Sequence, residues 1–366
     1  MSEPHPGAAA GAAPAVESVM EGQDFYNEHS QPQHSASDFG LPLLARAVAA
    51  LALPGPGEPV VVADYGASEG RNSQAPMRAV IAAVRERVPG AALAITHTDL
   101  PDNDFNSLFR LLAESPDSYL RGAEEVYAFA AGKSFYEQIF PAGQVSLGYS
   151  SITVHWLSAV PCPIPGQIWS PRATGAVRAA FAQRARDDWA RFLTCRAGEL
   201  RPGGQLVVVA SGADDAGNSG AESLMDLANE VLQEMVADGT LTAAEYAQMV
   251  VPTYYRTLAE WTAPFAAGGT IGAALELVES APAVLPDAFW PRYEQTHDAQ
   301  AFAAAYTGFL RGFSEPSLFG RLDAARRASA GHTFYQRVQA RIAADPARAV
   351  CHWQLYLLRI ARRAAG

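Results

Sequence analysis

The chain predicts an α/β fold: a mostly parallel sheet flanked by crossover helices, with a helical cap beside it. Three observations carry that expectation. Short runs that are apolar at nearly every position, such as Val60-Val-Val-Ala-Asp64, are what strands buried on both faces of a parallel sheet look like. These runs alternate with stretches apolar at helical spacing, as strand–helix–strand units require. With 366 residues, 49% of them hydrophobic, the chain can fill a large core and still carry a sizeable insertion.

The elements follow in order. Residues 1–24 read as a disordered tail, rich at its start in Ala, Gly and Pro and without the basic opening and apolar run of a secretory signal. A core is expected over 25–213. In it, Leu41 to Leu53 is a helix ended by the Pro/Gly cluster Pro54 to Pro59. Val60 to Asp64 is the first strand, Ala75 to Val88 the next helix and Ala91 to Thr96 the second strand. Gln144 to Tyr149 and Gln205 to Ala210 are further strands, the latter delivered by the turn Arg201-Pro-Gly-Gly204. A helix near 172–195 is assigned to the cap. Residues 214–266, with the helix Glu222 to Ala237, and residues 281–350 complete the cap. A core strand at 267–280 separates these two blocks, and the last core strand lies in 351–366.

A net charge of −11 argues against nucleic acid or an anionic membrane as the main partner, since both repel an acidic surface. Cys162, Cys195 and Cys351 lack metal-ligand spacing and read as reduced thiols of a cytoplasmic protein. No apolar stretch is long enough to span a bilayer.

Ligands of open α/β sheets sit beyond the carboxyl ends of the strands. Asp64 and Gly66 occupy one such end. Asp99 ends the second strand, where a carboxylate can accept hydrogen bonds from both hydroxyls of a ribose. The turn Gly66-x-x-x-Gly70 lacks the Gly-x-Gly-x-x-Gly of a pyrophosphate site and the Lys-Ser/Thr of a phosphate loop. A nucleoside without phosphates fits better, S-adenosylmethionine being the common one. A strand-to-helix turn that merely needs small residues gives the same pattern.

Five ordered segments go further. They are Tyr26-Asn-Glu-His29-Ser30-Gln-Pro-Gln33, Asp64-Tyr-Gly66-Ala-Ser-Glu-Gly70-Arg-Asn72, Thr98-Asp-Leu-Pro-Asp-Asn-Asp-Phe-Asn106, Lys133-Ser-Phe-Tyr136 with Phe140-Pro141, and Ser150-Ser-Ile-Thr-Val-His-Trp-Leu-Ser-Ala-Val-Pro161. Through them the chain resembles the SABATH methyltransferases, the salicylic acid, benzoic acid and theobromine methyltransferase group, from about Phe25 to Pro161.

The resemblance implies a Rossmann-like core with a seven-stranded sheet, S-adenosylmethionine as cofactor, a small-molecule acceptor and a homodimer. It implies that Ser30 and Asp64 contact the methionine part of the cofactor, with Gly66 and Asn72 shaping the turn. Asp99 would hold the ribose, while Leu100, Ser134 and Phe135 border the adenine. Tyr26 would pack the entry segment beside them. Gln33, Ile152, His155, Trp156 and Met225 would line the acceptor, with Gln33, His155 and Trp156 positioning its reacting atom.

The chain also departs from the family pattern. Val16 to Phe25 contains no Lys or Arg where carboxylate-methylating members carry a lysine. Ile152 replaces a tyrosine, His29 an asparagine, and Met225, by a loose alignment, a tryptophan. Lys133 and Arg256 are then the candidate replacement cations, each to be weighed against an ordinary surface charge. No cluster of metal ligands is visible.

The expected activity is methylation of a small, fairly apolar carboxylic acid to its methyl ester. A carboxylate is already ionised at neutral pH, so no dedicated base is needed. Methylation of a ring nitrogen or phenol of a heteroaromatic metabolite is the alternative, and a non-catalytic cofactor-binding protein is the third reading.

Overall fold

The structure, a computed structural model, describes residues 19–55, 57–266 and 268–364. The first eighteen residues of the expected tail lie outside the described residues. Its last six do not behave as a tail. Glu21 N–H donates to the Gly312 carbonyl at 2.9 Å, and Arg311 reaches the Glu21 carboxylate at 3.0 Å.

The first half of the chain runs α1 (Phe25–His29), α2 (Gln31–Asp38), α3 (Leu41–Ala50), β1 (Val60–Tyr65), α4 (Gln74–Arg87), β2 (Leu93–Asp99), α5 (Phe105–Glu114), β3 (Val126–Gly132) and β4 (Val145–Ser151). The second half runs α6 (Gly175–Glu199), β5 (Leu200–Ser211), α7 (Glu222–Ala237), α8 (Ala243–Tyr246), α9 (Leu258–Thr262), α10 (Thr270–Ala274), β6 (Leu275–Leu285), α11 (Trp290–Thr296), α12 (Ala299–Phe319), α13 (Ala324–Ala344) and β7 (Trp353–Arg362).

Seven strands form one sheet in the order β3-β2-β1-β4-β5-β7-β6. All neighbours are parallel except β7, which is antiparallel to both β5 and β6. The central strands β1, β4 and β5 are buried almost throughout, which is why they are written as continuous apolar or small residues. The chain leaves β1 for β2 and β3 on one side and returns to β4 on the other. The crevice between β1 and β4 is therefore the place where the order reverses and ligands bind.

One strand is added and two sequence expectations are corrected. The segment at 126–132 is an edge strand, unforeseen because Tyr127 and Phe129 face solvent and alternate with small residues. The expected strand at 267–280 starts at Leu275 instead and runs to Leu285, because Thr270–Ala274 closes a helical turn first. The helix expected in the cap near 172–195 is α6, the crossover from β4 to β5. Its Trp189, Phe192 and Leu193 pack under the sheet with Leu206 and Val208. The cap proper is α7 with α11–α13, gathered around Leu227, Val231, Phe309, Leu310, Phe334 and Val338.

Candidate active site

The site grows from the carboxyl ends of β1 and β2. The β1 turn is tied to β2 by the Gly66 and Ala67 amides, which donate to the Thr98 carbonyl at 2.8 and 3.0 Å. Gly66 sits at φ +85°, and a Cβ there would stand 2.1 Å from the Thr153 side chain, so only glycine lets the turn after β4 approach. Asp99 is held from two directions. Ser68 N–H donates to its Oδ2 at 2.7 Å and Leu100 N–H to its Oδ1 at 2.8 Å. Asn103 Nδ2 donates to the Ser68 carbonyl at 2.9 Å, so the second turn also braces the first. A carboxylate fixed by backbone amides in this way keeps its direction.

Asp99, Leu100, Ser134, Phe135 and Trp156 line one cleft of about 600 Å³ together with Gly66, Ser68 and Tyr26. A narrower space continues past Tyr26 and Gly66 to Asp64, Asn72 and Gln33. Ser30 is the exception among the expected cofactor residues. It lies behind Asn72, whose Nδ2 donates to the Ser30 hydroxyl at 3.2 Å, and faces a polar groove on the far side.

A third space of about 620 Å³ lies between the sheet and the cap. Gln33, Ile152, His155, Trp156 and Met225 all line it. Thr253, Tyr255, Phe309, Phe313 and Trp353 join them from elements far apart in sequence, where no local motif announces a site. Met20, assigned to the tail, lines both this cleft and the one over Asp99. Glu69 places it there, accepting the Asp24 and Asn27 amides at 2.7 and 3.0 Å and so docking the entry segment over the glycine turn.

The clefts meet at Tyr26, Ile152 and Trp156. Ile152 holds φ +51°, a left-handed conformation that a β-branched residue rarely adopts. Its N–H, donating to the Val209 carbonyl at 2.8 Å, helps to pin it there. Strain of this kind costs roughly 1–3 kcal/mol and gathers at functional sites.

The two candidate cations have other duties. Arg256 is fully buried, donates to the Val154 and Ala185 carbonyls, and stacks 4.7 Å over the Trp261 ring. It does not line the acceptor cleft; it stands behind it. Burial, and then the charge of Arg256, push the His155 imidazole down to about 3, so the ring is neutral at physiological pH. Lys133 is exposed, donating to the Gln138 carbonyl at 2.8 Å beside Glu137, and lines neither the cleft over Asp99 nor the one under the cap. Its surface-charge reading is the one the geometry supports.

Among the described residues, four buried polar atoms at these spaces lack a partner within the protein: Gln33 Oε1, Ser68 Oγ, Tyr149 Oη and His155 Nδ1. Orphaned buried atoms are costly, and these four stand where ligands would complete them. A nucleoside over Asp99 and an aminoacyl chain running toward Asp64 suit the donor set of the first two spaces. Among the described residues, no group of three or more His, Cys, Asp or Glu is placed to hold a metal.

A reversed-order parallel sheet with one cleft for a nucleoside and a second under a helical cap is the architecture of the Rossmann-like methyltransferase class. A loganic acid methyltransferase solved with SAH superposes with a TM-score of 0.75, covering 95% of this chain and 99% of that one at 21% identity. The family of SAM-dependent carboxyl methyltransferases matches residues 17–341, and the chain belongs to that family. A Fusarium relative, methyltransferase LUC1, is 31% identical over 244 residues, 65% of this chain and 64% of the relative. Gibberellic acid methyltransferase 2 of Arabidopsis thaliana is 26% identical over 267 residues, 65% of this chain and 67% of its own length. The chain thus spans just under two thirds of the length of the first of these relatives.

Proposed function

We propose that the protein transfers the methyl group of S-adenosylmethionine to the carboxylate of a small acid with one charge and a largely apolar body. One observation carries this reading. The acceptor cleft opens on the cofactor cleft at Trp156 and Ile152, and none of the described residues that line it is Lys, Arg, Asp or Glu. A second charge on the acceptor would be left without a counter-ion, whereas rings and methyl groups would bury against Trp156, Tyr255, Phe309 and Phe313.

The cofactor supplies an electrophilic methyl on a sulfonium, and the chain's residues supply position. Asp99 and Asp64 hold the two ends of the cofactor, and Tyr26 and Trp156 wall the space between the clefts. The Gln33 amide can turn its NH2 toward an acceptor carboxylate, and neutral His155 can offer an N–H. Both bind an anion without protonating it, and burial excludes water from the line of attack. With the lysine of carboxylate-methylating members absent, such neutral donors take over its task.

The reading includes a cytoplasmic homodimer, in keeping with three free cysteines, and sedimentation tests the dimer. The activity is tested by incubation with labelled S-adenosylmethionine and a panel of aromatic, terpenoid and fatty acids alongside purines and phenols. An alkali-labile labelled product from a monocarboxylic acid is expected. An alkali-stable product from a purine or phenol would replace the ester assignment.

A further inference from the structure

Asp64, His97 and Tyr119 form a buried polar chain beneath the cofactor cleft. Asp64 and His97 are register partners on β1 and β2 and present their side chains to the same face of the sheet. His97 Nδ1 lies 2.8 Å from Asp64 Oδ2, and His97 Nε2 lies 2.8 Å from the Tyr119 hydroxyl. Ser73 Oγ donates to the same Asp64 oxygen at 2.5 Å. All three members are buried, His97 completely. The surroundings are apolar, with Ile95, Leu108 and Leu112 in the same cluster as Tyr119. An imidazole in such a place costs more than an alkyl side chain unless both its nitrogens are used, and here both are.

The direction of the chain follows from its far end. Burial, and then the charge of Asp64, raise the Tyr119 phenol well above its ordinary range, so it keeps its proton. It donates that proton to His97 Nε2. The one ring proton is thereby left on Nδ1, where it points at Asp64. Among the described residues, every hydrogen bond to the Asp64 carboxylate ends on Oδ2, while the residue borders the narrow space beside Asn72. Its Oδ1 is left for a ligand.

We propose that His97 is a positioning residue for the cofactor: with its tautomer set by Tyr119, it clamps one oxygen of Asp64 so that the other meets the cofactor's ammonium group. This rests on the proposed contact of Asp64 with the methionine part of S-adenosylmethionine. The Tyr119 O–H occupies Nε2 and so leaves Nδ1 as the ring's donor to Asp64. The titratable groups facing His97 are Asp64 from β1 and Tyr119 from the segment after α5. The turn before α4 contributes only the Ser73 hydroxyl to the cluster, and the register neighbour on β3 is Ala130.

The test is calorimetric binding of S-adenosylhomocysteine to the purified protein, with steady-state kinetics beside it. His97→Leu should raise KM for S-adenosylmethionine about tenfold while sparing kcat at saturation, an effect of one lost charged hydrogen bond. His97→Asn keeps an amide donor for Asp64, so it should bind within a few-fold of wild type. Tyr119→Phe, which removes the donor that fixes the ring's tautomer, should lose affinity about threefold. An unchanged KM in His97→Leu would overturn the proposal, and so would an unchanged affinity in Tyr119→Phe; should His97→Leu fail to fold, Tyr119→Phe and His97→Asn still decide the matter. Asp64→Asn separates the two levels. If it binds as wild type does, the Asp64 contact itself is wrong; if it loses binding while the His97 and Tyr119 variants keep it, only the positioning role falls.

Discussion

Replacing Asp99 by alanine tests the ribose contact most directly, because the structure separates its effect on the ligand from its effect on the fold. The Asp99 carboxylate is the acceptor of two backbone amides, those of Ser68 and Leu100, in a half-buried turn. In the alanine variant these amides lose their partner but can recruit water, so the fold should lose only about 1 kcal/mol. In a chain of this length that shifts Tm by a few degrees at most. The ligand loses more. Two ribose hydroxyls donating to a carboxylate are worth about 1.5–3 kcal/mol each, and such paired contacts are less than additive. A total of about 3–4 kcal/mol corresponds to a loss of roughly two to three powers of ten in affinity. Calorimetric titration with S-adenosylhomocysteine, paired with a thermal melt, measures both quantities. An affinity within threefold of wild type in a variant that melts normally would refute the ribose assignment.

Four further outcomes are expected. Trp156→Ala should remove turnover and, because the ring borders both clefts, weaken cofactor binding only a few-fold; full activity in a steady-state assay would remove it from the acceptor site. The neutral His155 gives stability a pH slope: between about 6.5, its unfolded value, and about 3 in the fold, the unfolded chain holds a proton that the native chain refuses. Stability therefore falls as pH drops through that window, by up to about 1.4 kcal/mol per unit, and urea midpoints of His155→Asn should lack that component. Arg256→Met should be severely destabilised, since each carbonyl left without its donor costs about 1–3 kcal/mol. Lys133→Ala should leave both KM values unchanged in the same assay, and a raised acceptor KM would reinstate Lys133 as the anion's partner.

The parts of the fold that were legible in the sequence are those whose burial is symmetrical. Val60–Tyr65 and Leu206–Ala210 are apolar on both faces, and nothing but a central parallel strand needs that. The strand Val126–Gly132 escaped because an edge strand has one open side and tolerates exposed aromatics. His97 and Thr98 escaped for the opposite reason. They are polar yet fully buried, so the second strand seemed to stop at Thr96.

The cofactor side of the site was readable because its residues cluster in three short turns. Asp64, Gly66, Asp99, Leu100, Ser134 and Phe135 are brought together by three neighbouring parallel strands in register. The acceptor side is assembled from α7, α12, β7 and loops between 152 and 255. Its Thr253, Tyr255 and Trp353 carry no signature beyond being themselves, although Phe309 and Phe313 do stand one helical turn apart on α12. Arg256 shows the limit of reading charges in a line of sequence. A cation can serve a pocket from behind, by its field, without ever entering it.

The left-handed backbone at Ile152 bears on how this site can change. Every residue with a Cβ incurs a conformational toll at φ +51°, and a β-branched one incurs more than most. The fold already carries that toll with one of the least suitable side chains. Exchanging Ile152 for leucine, methionine or tyrosine therefore asks nothing further of the backbone and relaxes it slightly. Because this position stands where the clefts join, such exchanges would recut the reaction chamber at little thermodynamic expense. Position 152 is thus a dial on which selection, or a protein engineer, can try new acceptors without first securing a compensating stabilisation elsewhere.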